Sequence, residues 1–68
     1  MDSLNEKWAI TYQYHNYNEV LFVKTDIIFA ESIGKAITEV DDGLSRDMEL
    51  FGWSDYHITS VNIIPELH

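Results

Sequence analysis

Sixty-eight residues without a cysteine make one small domain and argue against a disulfide-stapled scaffold or a Cys-based metal site. Twelve acidic residues against four basic ones give a net charge of −8, which argues against nucleic acid and anionic membrane surfaces as direct partners, because phosphate binding needs clustered Lys and Arg. No apolar run approaches the roughly 20 residues of a membrane span, and the first residues lack the basic and apolar regions of a signal peptide, so the chain reads as soluble and cytoplasmic. A chain this short buries only about 60% of its unfolded surface, and oligomerisation is the remaining way to supplement its core.

Residues 1–6 (MDSLNE) read as a polar, frayed start. Residues 7–14 (KWAITYQY) alternate: Trp8, Ile10, Tyr12 and Tyr14 share one face, and Lys7, Ala9, Thr11 and Gln13 the other. With their β-branched and aromatic content they predict a strand. The Asn-containing stretch 15–19 (HNYNE) predicts a hairpin loop, and 20–25 (VLFVKT) a second, antiparallel strand.

Thr25 or Asp26 offers an N-cap for a helix that starts within 27–29 and runs to about Phe51. Ala30, Ile33, Ile37, Val40, Leu44, Met48 and Phe51 recur at steps of three or four, as one buried helix face requires. Glu31, Lys35, Glu39, Asp42, Arg46 and Glu49 form a charged stripe with the same steps, and both stripes run through Gly43 in phase. Asp41-Asp42-Gly43 is nonetheless a turn signal, so a break there is the alternative to a continuous helix. Gly52 suits the left-handed residue that ends many helices. Residues 53–56 predict a turn and 57–64 (HITSVNII) a third strand, ended by Pro65.

The order β-β-α-β predicts an α+β fold with sheet order 2-1-3 and one face covered by the helix. Two tensions follow. The opposite face stays bare, with either the aromatic face of the first strand or its Ala9 and Thr11 face under the helix. A helix over 28–51 would span about 36 Å against about 23 Å for a seven-residue strand, so its excess calls for a break at Gly43 or for a second copy.

No nucleophile–base set, calcium-loop spacing, zinc-helix His pair or glycine-rich phosphate loop is present, and His15, His57 and His68 read as surface residues. The chain is therefore expected to be non-catalytic, with no cofactor and no metal. Two residue sets are candidate contacts for a partner. Asp41, Asp42, Asp47 and Glu49 crowd the C-terminal half of the helix, where acids oppose the helix dipole. Trp8, Tyr12, Tyr14, Trp53 and Tyr56 supply aromatic surface of the kind found at interfaces. Short length, acidity and the missing catalytic set resemble, as a general type, bacteriophage-encoded inhibitors of host enzymes and defence systems, anti-CRISPR proteins among them. The expectation is a binder of a basic protein partner that also self-associates as a dimer. The alternative is a small-molecule binder holding a nucleobase in an aromatic pocket.

Overall fold

A computed structural model describes residues 5–65; the start expected to fray lies, apart from Asn5 and Glu6, outside the described residues, as does His68. β1 (Glu6–His15), β2 (Leu21–Ala30), α1 (Ile33–Phe51) and β3 (Asp55–Ile64) follow one another. The sheet order is β2-β1-β3, with β1 antiparallel to both neighbours. This is the expected α+β topology, and its cause is the short hairpin loop followed by a helix that returns the chain to the other side of β1.

The second strand and the helix divide the chain differently from the sequence expectation. β2 continues five residues past Thr25, and Asp26, Ile27, Ile28, Phe29 and Ala30 face Ile10, Ala9, Trp8, Lys7 and Glu6 of β1. Ile27, Ile28 and Phe29 are β-branched or aromatic residues, and as strand they satisfy backbone groups along the first half of β1 that a shorter β2 would leave unpaired. Thr25 and Asp26 therefore do not cap the helix. Ser32 does, its Oγ accepting the backbone N–H of Lys35 at 3.2 Å. At the other end Gly52 takes φ 72° and donates its N–H to the Met48 carbonyl at 3.0 Å, as anticipated.

The helix is continuous through Gly43 for 19 residues. It spans about 28 Å, against about 33 Å for a ten-residue strand. The expected overshoot is thus absent, and with it the reason to require a second copy to cover a helix end. The Cα atoms occupy 46 × 21 × 13 Å with a radius of gyration of 13.6 Å, a slab rather than a ball; a compact chain of this length has about 11 Å.

Cross-strand neighbours share a face of a sheet. Trp8, Ile10, Tyr12 and Tyr14 face α1 together with Phe22, Lys24, Asp26, Ile28 and Ala30 of β2 and Tyr56, Ile58, Val61 and Ile63 of β3. The buried core is Ile10, Tyr12, Tyr14 and Ala30 from the sheet and Ala36, Val40 and Leu44 from the helix. The aromatic face of β1 is therefore the inner one.

Ile10 is fully buried at the centre of that core. Ile10→Ala should cost about 2–5 kcal/mol, against a total of roughly 5–15 kcal/mol for a small domain, and chemical denaturation should show it as a large fall in midpoint. A Cβ added at Gly43 meets nothing within 4 Å, so Gly43→Ala should raise stability by about 1 kcal/mol in the same assay.

Candidate protein-binding surface

The sheet face turned away from α1 carries no other element among the described residues. It presents Lys7, Ala9, Thr11, Gln13 and His15 from β1, and Leu21, Val23, Thr25, Ile27 and Phe29 from β2. From β3 it presents Asp55, His57, Ser60, Asn62 and Ile64. The β1 and β3 rows are mostly polar. The β2 row is not: Leu21, Val23, Ile27 and Phe29 are 49–61% exposed, and Thr25 between them bonds Thr11 across the sheet, Oγ1 to Oγ1 at 2.9 Å. Four large apolar side chains in one exposed row are the kind of contiguous patch that marks an interaction surface.

β2 and β3 are the two edges, and they differ. β3 carries a bulge where the register shifts between Thr11 and Tyr12, with Thr59 Oγ1 donating to the Thr11 carbonyl at 3.2 Å, and Pro65 follows its end. Bulges and prolines discourage further strand pairing. β2 pairs with β1 over ten residues without a shift and contains neither Gly nor Pro.

The hairpin end is tied down by polar contacts. Asn16 Oδ1 accepts the backbone N–H groups of Asn18 at 2.8 Å and Val20 at 3.0 Å, and Glu19 closes the loop at φ 64°. Ser54 donates its N–H to the His15 carbonyl at 2.8 Å and its hydroxyl to Glu19 Oε1. Asp55 Oδ1 lies 2.8 Å from His15 Nδ1 and accepts the His15 backbone N–H at 3.2 Å, while His57 Nε2 stands 3.9 Å from the other carboxylate oxygen. The hydrogen bond from the His15 side chain holds the Asp55 carboxyl below its ordinary range.

The aromatic candidates are largely used within the fold. Tyr12 and Tyr14 are buried. Trp8 is half-buried and donates its Nε1–H to the Ala30 carbonyl at 3.0 Å. Trp53 stacks on Tyr14 with centroids 3.7 Å apart and planes 12° from parallel, and Phe22 lies 5.3 Å from the same Tyr14 ring. A slot for a nucleobase between two rings needs about twice the first spacing, so the Tyr14–Trp53 stack fills its own slot. Tyr56 donates its hydroxyl to Asp41 Oδ1 at 2.9 Å, and that bond pushes the Tyr56 pKa up.

The acidic candidates do not converge. Asp41 turns toward β3 to meet Tyr56, and Asp42 lines an open groove of about 580 Å³ with Phe29, Ala30, Lys35 and Glu39, toward β2. Asp47 is half-buried, and Tyr12, whose pKa is raised first by burial and then by Asp26, also feels its charge. Glu49 is exposed on the helix. Successive helical residues are rotated by about 100°, which is why neighbours in sequence point apart.

The apolar β2 row was missing from both candidate sets. Its signal is the period-two recurrence of Leu21, Val23, Ile27 and Phe29, hidden because Ala30, Ile33 and Ile37 extend the helical period backward into the strand. The Asp55 contact has a stability signature with a definite sign. A carboxyl with a lowered folded pKa contributes stability above its unfolded pKa of about 3.9, and that contribution is lost as pH falls through the folded value. Asp55→Asn should therefore lower the melting temperature at pH 7, with the gap to wild type closing below about pH 4. Comparison with protein-family models, with curated proteins and with solved structures yields no match to this chain.

Proposed function

We propose that the chain is a non-catalytic protein-binding module that self-associates and docks a basic protein partner through the open face of its sheet. One observation carries this reading: the exposed row Leu21, Val23, Ile27 and Phe29 on a face that no other described element covers. Protein interfaces combine an apolar patch with polar residues beside it, and Thr11, Gln13, Ser60 and Asn62 lie beside the β2 row on the β1 and β3 side. The charge of −8 supplies steering rather than a local contact, because the helix acids point in several directions. The specific form of the reading is inhibition of a basic or nucleic-acid-binding protein in a host cytoplasm, as bacteriophage-encoded inhibitors exert it.

The test is retention of bacterial lysate proteins on immobilised chain, compared with Val23→Lys and Ile27→Lys variants and with the triple reversal of Asp41, Asp42 and Glu49 to Lys. A basic protein at stoichiometric yield should be retained by wild type and lost on both apolar variants. For the triple reversal the association rate should fall, and for wild type it should fall as salt rises toward physiological strength, where screening acts over about 8 Å. Retention indifferent to the apolar variants, to the reversals and to salt would sink the reading. A metabolite co-purifying in native mass spectrometry would favour the small-molecule alternative instead.

A further inference from the structure

We infer that a second copy of this chain pairs with the free edge of β2, antiparallel and in a single register with Thr25 opposite Thr25. This is the self-associating half of the reading above, rests on it, and adds the seam.

The edge is complementary to itself. About Thr25 the strand reads Leu21, Phe22, Val23, Lys24 on one side and Asp26, Ile27, Ile28, Phe29 on the other. An antiparallel two-fold centred on Thr25 sets Lys24 against Asp26 of the second copy, and Asp26 against its Lys24. Outside these lie Val23 against Ile27, Phe22 against Ile28 and Leu21 against Phe29. Each apolar residue meets an apolar residue and each charge meets its opposite, in cross-strand positions where such pairs stabilise and like charges do the reverse.

The same charges exclude the neighbouring registers. A perpendicular two-fold keeps both helices on one face, so only residues of the same face can stand opposite each other and the register moves in steps of two. One step one way centres the axis on Lys24 and sets lysine against lysine. One step the other way centres it on Asp26 and sets carboxylate against carboxylate. Lys24 and Asp26 are both exposed, and neither has an ion-pair partner among the described residues. A lone lysine on an edge strand usually blocks pairing; here the residue that answers it sits two positions away on the same face.

The rest of the edge fits this pairing. β2 is uninterrupted where β3 is bulged, so a further strand has one suitable place to add. The nine residues from Leu21 to Phe29 make a seam about 30 Å long. Exposed Val20 of each copy then stands opposite Ala30 of the other, beside the groove at the start of α1. The product is a six-stranded sheet with both helices on one face and the two apolar β2 rows side by side on the other.

The test combines mass, charge exchange and a cross-link. Wild type should sediment at twice 7.9 kDa at micromolar concentration. Lys24→Asp alone and Asp26→Lys alone should each weaken the dimer by about tenfold, and the double exchange should restore it. Circular dichroism of the exposed single variants should match wild type. The chain has no cysteine. Thr25→Cys should therefore give one oxidised dimer, since directly opposed residues have Cα atoms about 4.5–5.5 Å apart, within disulfide range. Ser60→Cys on β3 should not. A 7.9 kDa mass for wild type overturns both self-association and the seam. A dimer whose affinity ignores the single exchanges, or whose Thr25→Cys form cross-links no better than Ser60→Cys, overturns the seam and leaves self-association standing. Neither result bears on retention of a basic partner, which is measured separately.

Discussion

One helix has to cover three strands, and most of the molecule follows from its width. A helix is about 10 Å across, and the outer strands of the sheet stand nearly that far apart before side chains are counted. Ala36, Val40 and Leu44 therefore reach the central strand, closing over Ile10, Tyr12 and Tyr14. Ala36 has the small side chain that lets the helix axis approach. On either side of this line Ile28 and Ala30 of β2 and Ile58 and Val61 of β3 complete the core, and aromatic residues fill its ends and margins.

Those flanking rings explain the aromatic content better than a ligand does. Trp53, just past the helix, folds back to stack on Tyr14 and extends the core toward the hairpin end. Trp8 closes the opposite end and fixes its indole through the Ala30 carbonyl, at the point where β2 leaves the sheet. Tyr56 ties β3 to the helix through Asp41. Each ring has an apolar body for the gap and, in Trp8 and Tyr56, a polar tip for the margin, which is what a half-covered sheet edge requires. Phe22, Leu50 and Phe51 remain exposed because nothing stands beyond them in the described chain.

How much of this was legible depended on whether one period spoke alone. In β1 the strict alternation of Trp8, Ile10, Tyr12 and Tyr14 marks the strand, and the order β-β-α-β places it at the centre of the sheet. From Ile33 to Phe51 the helical period and the Gly52 stop point to one helix, against the turn signal at Asp41-Asp42-Gly43, and the helix is continuous; its buried face is Ala36, Val40 and Leu44, while Ile33 and Phe51 of the apolar stripe are exposed. Around 26–30 two periods overlap: Ile27 and Phe29 continue the alternation of β2, while Ala30 stands in helical phase with Ile33 and Ile37. Local pattern could not choose between them. The choice is made by pairing, because Ile27, Ile28 and Phe29 have Ala9, Trp8 and Lys7 waiting across the sheet. The misplaced boundary hides the apolar row by splitting it, with Leu21 and Val23 in the expected strand and Ile27 and Phe29 in the expected helix. The acids were legible as charge but not as direction: Asp41 and Asp42 differ by one residue and face opposite margins of the helix.

Acidity and a self-complementary edge act together in the proposed assembly. Two copies at −8 each repel, and a charge of that size suppresses adhesion that lacks compensating contacts. An uninterrupted ten-residue edge with apolar residues on both sides of Thr25 is the feature most in need of such suppression. Repulsion alone would hold all copies apart. The Lys24–Asp26 exchange supplies local attraction in one register and local repulsion in the two beside it, so the net charge opposes promiscuous pairing while the strand specifies one partner. Pairing then places Leu21, Val23, Ile27 and Phe29 of both copies in one continuous patch across the two-fold, on the face opposite the helices. The row is one strand wide in a single chain and would be two strands wide in the proposed dimer. In the proposed assembly one strand would have two uses, its edge for a second copy and its outer face for the partner.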